Sequence, residues 1–163
     1  MVVVGNPRPA SRTLHAATYV ARELAGGEPD LVVDLAVLGS AVLDWADRKV
    51  TGLVDEVGRA ALVVVASPTY KGTYTGLLKL FLDRFAGGTG LTGLAVPVLL
   101  GGSPAHSLAP ELTLRPVLTE LGATVPGRGL FVVDRQYDDP AAYADWLVAT
   151  RPIVASLRKQ ELS

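Results

Sequence analysis

The 163-residue chain contains no cysteine, and this absence excludes several kinds of chemistry at once. Disulfides, thiolate zinc sites, iron–sulfur ligation and cysteine nucleophiles all require that side chain. Histidine is scarce as well, because only His15 and His106 occur. We therefore expect no histidine-rich metal centre, and no Ser/His/Asp set stands out as a catalytic triad.

The chain also lacks an excess of charge and lacks long apolar runs. Fifteen basic and sixteen acidic residues give a formal net charge of −1, and without a polybasic run neither nucleic acid nor a membrane surface has electrostatic support as a partner. The longest apolar stretches, Ala60–Ala66 and Leu94–Leu100, are too short to span a bilayer. We expect a single domain, residues 1–163, located in the cytoplasm and without a signal peptide.

What the chain does contain is a series of short runs rich in valine and leucine. They show no polar alternation, which is typical of parallel strands covered by helices on both faces. Segments with helical spacing of apolar residues lie between them, and this alternation predicts an open parallel α/β sheet. The predicted strands are Val2–Val4, Leu31–Val33, Ala61–Ala66, Leu94–Leu100 and Gly129–Val133, and the predicted helices span Leu14–Leu24, Leu77–Phe85, Leu114–Leu121 and Tyr143–Leu157, with a loop and a short helix in Gly39–Arg59.

Three polar loops follow the first, third and fourth predicted strands. They read "GNPRPASRT", "SPTYKGTYTG" and "GGSPAH" and begin at Gly5, Ser67 and Gly101. Ligands of parallel α/β sheets bind beyond the carboxyl ends of the strands. The three loops together are therefore the candidate site.

The first loop leads into a helix N-terminus, where free backbone N–H groups and the helix dipole favour an anion. Ser11 is the expected N-cap, and the hydroxyl groups of Ser11 and Thr13 together with Arg8 and Arg12 suit a monophosphate. The loop matches neither the G-x-G-x-x-G fingerprint nor the Walker A pattern, which disfavours a dinucleotide fold or a nucleotide triphosphatase. The alternative is a capped helix whose serine and arginines face solvent.

The other two loops carry turn-forming residues and aromatic side chains. Pro68 and Gly72 predict a shaped turn whose backbone approaches a planar ligand closely, with Tyr70 or Tyr74 able to stack on that ligand. The alternative for each tyrosine is simple packing at the edge of the domain. His106 in the third loop is by itself more typical of a surface group than of a catalyst.

Taken together, the loops resemble those of the NADPH-dependent FMN reductase family of flavodoxin-like proteins. "GNPRPASRT" corresponds to the family's G-S-P-R loop, and "SPTYKGTYTGLLKLFLD" corresponds to its T/S-P-x-Y segment after the third strand. "GGSPAHSLAPELTLRPVLTELGA" is similar to the branch of small FMN reductases that serve two-component monooxygenases, such as the alkanesulfonate-system reductases. The resemblance spans roughly Val2 to Asp134, with Asn6 in place of the usual serine. Leu112 stands where some of these reductases carry an extra tyrosine, which leaves tight and exchangeable FMN binding both open.

The resemblance implies a three-layer α/β/α sandwich with a five-stranded parallel sheet in the order 2-1-3-4-5. It also implies an NAD(P)H-dependent FMN reductase, a homodimer or homotetramer that uses the Leu77–Phe85 region, and a flavin-dependent monooxygenase as possible recipient of the reduced flavin. The alternatives are a quinone or azo reductase with bound FMN and a non-enzymatic electron carrier. The FMN-binding residues that it implies are Asn6, Arg8, Ser11, Arg12, Thr13, Pro68, Thr69, Tyr70, Lys71, Gly72, Gly101, Gly102, Ser103 and His106, with no catalytic acid or base assigned.

Overall fold

The sheet has five parallel strands in the order β2-β1-β3-β4-β5, seen in a computed structural model that describes residues 1–161. Each neighbouring pair is parallel, with Val3 paired to Val33 on one side and to Val65 on the other. This confirms the predicted sheet and its strand order. The strands are β1 (Val2–Val4), β2 (Val32–Asp34), β3 (Leu62–Pro68), β4 (Leu94–Gly101) and β5 (Leu130–Val133).

Helices cover both faces of this sheet. The described α-helices are α1 (Arg12–Ala25), α2 (Leu35–Leu38), α3 (Arg48–Gly58), α4 (Gly76–Leu82), α5 (Arg115–Glu120) and α6 (Ala141–Glu161). A π-helical turn at Pro110–Leu114 precedes α5, and 3₁₀ turns occupy Gly39–Leu43, Pro104–His106 and Asp134–Gln136. Among the described helices, none combines the length and the apolar character needed to cross a membrane.

Alternate residues of the strands belong to two separate cores, one on each face of the sheet. Val2 and Val4 are buried among side chains of α1 and α6, whereas Val3 is buried with the apolar side chains of α3, α4 and α5. Burial on both faces is the reason that these strands are continuous apolar runs rather than alternating ones. The predicted three-layer arrangement is therefore confirmed.

The two ends of α1 are determined by residues of the local sequence. Ser11 is the N-cap, and its side-chain oxygen accepts a hydrogen bond from the N–H of Leu14 at 3.2 Å, as predicted. Gly26 ends the helix in the left-handed conformation, with φ +76°, and its N–H donates to the carbonyl of Arg22. The helix start is thereby fixed directly behind the first polar loop.

Several element boundaries differ from the predicted ones. β3 and β4 extend to Pro68 and Gly101, because Ser67 and Pro68 still pair with Leu99 and Leu100. α4 ends at Leu82 rather than at Phe85. These longer strands carry the second and third loops further past the end of β1 than the sequence indicates.

Candidate functional site

A cavity of about 570 Å³ opens at the carboxyl ends of the strands, as expected for a parallel α/β sheet. Its size is within the range of small-molecule and cofactor sites. All three predicted loops contribute to it. It is lined by Asn6, Arg8, Pro9, Ala10, Ser11, Arg12, Pro68, Thr69, Tyr70, Leu100, Gly101, Gly102 and Asp134.

The first loop is shaped by Asn6, which makes hydrogen bonds in two directions. Its side-chain carbonyl accepts from the N–H of Arg8 at 2.9 Å, and its amide group donates to the hydroxyl of Thr13 at 3.0 Å. Thr13 is buried beneath the loop and does not line the cavity. Asn6 therefore folds the loop, and the Thr13 hydroxyl is part of that fold.

The same loop contains a residue in a sterically disfavoured conformation. Ala10 has φ +49°, a backbone angle that residues other than glycine rarely adopt. Its N–H donates to a carboxylate oxygen of Asp34 at 3.0 Å, and Asp34 is the last residue of β2. This contact from a neighbouring strand stabilises the unusual backbone at the cavity wall.

The cavity wall at the start of α1 favours an anion. The first N–H groups of an α-helix have no partner within the helix, and they carry the positive end of its dipole. Ser11 lies at this end, with Arg8 and Arg12 on either side along the chain, and all three line the cavity. Arg12 is also paired with Asp134, with 2.5 Å between its Nη1 and Asp134 Oδ2.

The second loop is anchored by two buried hydroxyl residues. Ser67 accepts a hydrogen bond from the N–H of Thr75 at 2.9 Å, across the base of the loop. Thr75 donates its hydroxyl to the carbonyl of Gly5 and accepts from the N–H of Leu78 as the N-cap of α4. The second loop is thus tied directly to the start of the first.

The tip of the second loop is a tight reverse turn. Tyr70 and Thr73 exchange both backbone hydrogen bonds, and Lys71 and Gly72 between them have φ +55° and +84°. Two consecutive positive φ angles define a type I′ turn. Tyr70 lines the cavity, and half of its surface is exposed. Tyr74 instead packs against the core and is partly buried, and this burial raises the pKa of its hydroxyl.

The two glycines of the third loop differ in how much space surrounds them. A Cβ on Gly101 would lie 2.7 Å from Cζ of Phe131, so this position is required by packing against β5. A Cβ on Gly102 would meet no atom within 4 Å, although this residue lines the cavity. Ser103 caps the following 3₁₀ turn through the N–H of Ala105, and neither it nor the exposed His106 lines the cavity.

Thr69 supplies a test of whether the cavity fits a polar cofactor. Its hydroxyl oxygen is buried and has no hydrogen-bond partner within the described residues, and Thr69 lines the cavity. An unpaired buried hydroxyl costs about 1–3 kcal/mol unless something satisfies it. A ligand with an anionic group at the first loop and polar atoms near Thr69 therefore fits the cavity, and FMN has both.

Nine predicted site residues line the cavity, and the other five do not. The five that do not are Thr13, Lys71, Gly72, Ser103 and His106. The role of all fourteen residues in FMN binding stays a prediction. The residues at or beside the cavity that were not predicted from the sequence are Pro9, Ala10, Leu100, Asp34 and Asp134. Applying the carboxyl-end rule to the second and fifth strands would have found both aspartates, because each lies at the end of its strand.

Known proteins support the same assignment. The model of the NADPH-dependent FMN reductase family matches residues 1–138. An FMN reductase (NADPH) from Pseudomonas aeruginosa is 31% identical over 165 aligned positions, covering 94% of this chain and 83% of that protein. A second FMN reductase (NADPH), from Pseudomonas putida, is 36% identical over 89 residues, and the match spans 55% of this chain and 43% of that protein.

A solved structure extends the similarity to three dimensions. The apo form of an NADH:FMN oxidoreductase superposes with a TM-score of 0.83 at 30% identity, covering 96% of this chain and 88% of that one. These findings confirm the predicted flavodoxin-like fold and the predicted class, a flavin oxidoreductase with FMN and a nicotinamide cofactor. The chain belongs to the NADPH-dependent FMN reductase family.

Proposed function

We propose that the protein binds FMN in the 570 Å³ cavity and reduces it with NADH or NADPH. The observation that carries the proposal is the pairing, in one cavity, of an anion-binding helix start with the unpaired buried hydroxyl of Thr69. The P. aeruginosa relative is named for NADPH and the similar solved structure for NADH, so both donors belong in the proposal.

The residues of the cavity act by binding and orienting. When bound, FMN supplies the redox chemistry, accepting a hydride from the nicotinamide. Arg8, Ser11 and the first N–H groups of α1 hold the phosphate, and the Thr69 hydroxyl gains a partner. Pro68 and Tyr70 line the cavity from the second loop, and Gly102 leaves room on the neighbouring third loop. Backbone N–H groups at the cavity wall would stabilise negative charge on the bound flavin.

The first experiment measures NAD(P)H oxidation by the purified protein with and without added FMN. FMN-dependent oxidation of either nucleotide supports the proposal. A protein that binds FMN and oxidises neither nucleotide is the flavodoxin-like electron carrier instead. Turnover with quinones or azo dyes that exceeds turnover with free FMN favours the quinone or azo reductase.

The second experiment tests the phosphate site with variants of Ser11 and Arg8. Ser11→Asp keeps a side chain that caps helices well but adds a negative charge, so FMN binding is expected to fall by more than tenfold while riboflavin binding changes little. Arg8→Ala should also weaken the binding of FMN but not that of riboflavin. The matched control is Arg48→Ala on α3, because Arg48 is an exposed arginine outside the cavity. Unchanged FMN affinity in both test variants would return the first loop to the role of a simple helix cap.

We further propose that reduced FMN leaves the protein to serve a flavin-dependent monooxygenase in the cytoplasm. The similarity of "GGSPAHSLAPELTLRPVLTELGA" to reductases of two-component monooxygenases supports this. A purified protein that loses its flavin on dilution favours delivery of reduced flavin. A protein that stays yellow after extensive dilution favours an acceptor that comes to the bound FMN.

A homodimer or homotetramer is also proposed, on an apolar surface near α4. Leu78, Phe81 and Leu82 of this helix are buried in the chain's own core, so they no longer require a partner. Leu80 on its outer face and the neighbouring Leu43 and Trp45 are exposed by 41%, 61% and 67%. Sedimentation at low protein concentration tests the proposal, and a clean monomer there overturns it.

A further inference from the structure

The cavity contains a negative charge where a phosphate is expected to bind. Asp134, directly after β5, lines the same cavity as Arg8, Ser11 and Arg12. It is neither buried nor remote, since 41% of its side chain is exposed. A carboxylate in this place repels a second anion, whereas the residues of the first loop attract one.

Asp134 also engages one of the two arginines of the loop. The Arg12 guanidinium forms an ion pair with Asp134 Oδ2 at 2.5 Å, and its carbon lies 5.5 Å from the centre of the Tyr137 ring. These two contacts hold Arg12 toward the segment after β5. In the described part of the chain, Arg8 has no carboxylate within ion-pair distance, so the two cations are not equivalent.

We propose that Asp134 sets the phosphate affinity of this site, by neutralising Arg12 and by adding its own negative charge to the cavity wall. This inference rests on the proposed function, because it assumes that the phosphate of FMN binds at the first loop. Arg8 is then the cation available to the phosphate. Arg12 contributes to phosphate binding only when its ion pair with Asp134 is broken. The consequence is a site that binds FMN less tightly than its two arginines would allow.

The test uses Asp134→Asn, Arg12→Ala and the double variant, with FMN and riboflavin as the two probes. Asp134→Asn removes the carboxylate charge without changing the size of the side chain, so FMN should bind about three- to tenfold more tightly at low salt. Arg12→Ala leaves Asp134 unpaired and should weaken FMN binding. In the double variant both charges are gone, and the affinity for FMN should return close to that of the wild type.

Riboflavin separates this role from a structural one. It has the same ring and ribityl chain but no phosphate, so its affinity should stay within about twofold in all three variants. The gain of Asp134→Asn toward FMN should shrink as salt is added. Asp83→Asn is the matched control, because Asp83 forms a similarly exposed ion pair, with Lys79, away from the cavity.

Each outcome decides a separate question. If the wild type does not bind FMN, the proposed function fails and the inference fails with it. If the wild type binds FMN but Asp134→Asn binds it no more tightly, only the inference is overturned. An equal gain for riboflavin and FMN overturns it as well, because the effect then does not involve the phosphate.

Discussion

The first loop is held from both edges of the sheet, by an aspartate at the end of β2 and by another after β5. Asp34 accepts hydrogen bonds from two backbone N–H groups, those of Ala10 at 3.0 Å and Ala36 at 3.2 Å. Asp134 contacts a side chain instead, the guanidinium of Arg12. β2 and β5 are the two edge strands, so the two contacts come from opposite edges of the sheet.

This difference separates the rigid part of the site from the adjustable part. The hydrogen bond from the Ala10 N–H to Asp34 stabilises the left-handed conformation of Ala10. The Arg12 side chain is 58% exposed and can exchange one anionic partner for another without any backbone change. We therefore assign the backbone shape of the phosphate site to Asp34 at the β2 edge. Its affinity for the phosphate is assigned to Asp134 at the β5 edge.

The largest expected effect comes from Asp34→Ala. It removes the acceptor for two N–H groups, one of which is the capping bond of α2, and this should lower the free energy of unfolding by about 2 kcal/mol. FMN binding should weaken by about tenfold, because the loop that carries Arg8 loses its anchor. Urea denaturation and flavin titration measure the two effects.

Asp55→Ala on α3 is the control, since Asp55 is exposed and outside the cavity. A variant of Asp34 with wild-type stability and wild-type FMN affinity would remove the distinction between the two edges.

The next effect concerns the packing of β5 against the third loop. Gly101→Ala places a methyl group 2.7 Å from the Phe131 ring, and such overpacking should cost about 1–2 kcal/mol in unfolding free energy. Gly102→Ala meets no atom within 4 Å and should leave stability nearly unchanged while lowering FMN affinity. Thermal unfolding of the two variants in parallel tests the contrast, and equal melting temperatures would contradict it.

These glycines also mark the limit of sequence-based prediction. The valine-rich runs were enough to predict the sheet, and Ser11 was enough to predict the start of α1, because both depend on neighbouring residues. Gly101 depends on Phe131, and Gly5 depends on the Leu78 side chain that occupies the space of its absent Cβ. Such long-range partners cannot be read from a local pattern.

The same limit applies to the side chains of the first loop. Ser11 and Thr13 look equivalent in the sequence, yet Ser11 lines the cavity and Thr13 is buried under Asn6. The anchors Asp34 and Asp134 are 24 and 122 residues from their partners Ala10 and Arg12. Only the strand order brings them to the loop.

A smaller effect is expected from Tyr143→Phe, which tests the support behind the β5 edge. The buried Tyr143 on α6 donates its hydroxyl to the carbonyl of Tyr137 at 2.6 Å, and the Tyr137 ring lies against Arg12. Loss of this hydrogen bond should cost about 1 kcal/mol at pH 7. FMN affinity should change little, because the Arg12–Asp134 pair remains.

The pH dependence of that variant has a definite sign. Burial raises the pKa of Tyr143 well above 10, the value for an unfolded chain. The folded state therefore keeps a proton that the unfolded state releases, and stability falls as the pH rises above 10. Tyr143→Phe lacks this group, so the stability gap between variant and wild type should narrow between pH 10 and 11. A constant gap over this range would contradict the raised pKa.

The smallest expected effect is that of Asp134→Asn on stability, and it completes the contrast with Asp34. Exposed ion pairs contribute about 0–1 kcal/mol, because solvent screens the charges and two flexible side chains must be ordered. The variant should therefore unfold within about 0.5 kcal/mol of the wild type, although its FMN affinity is expected to rise. Urea denaturation at low and high salt measures the difference, with Asp83→Asn as the matched exposed pair. A loss as large as that of Asp34→Ala would mean that Asp134 also fixes the backbone, and the division between shape and affinity would no longer hold.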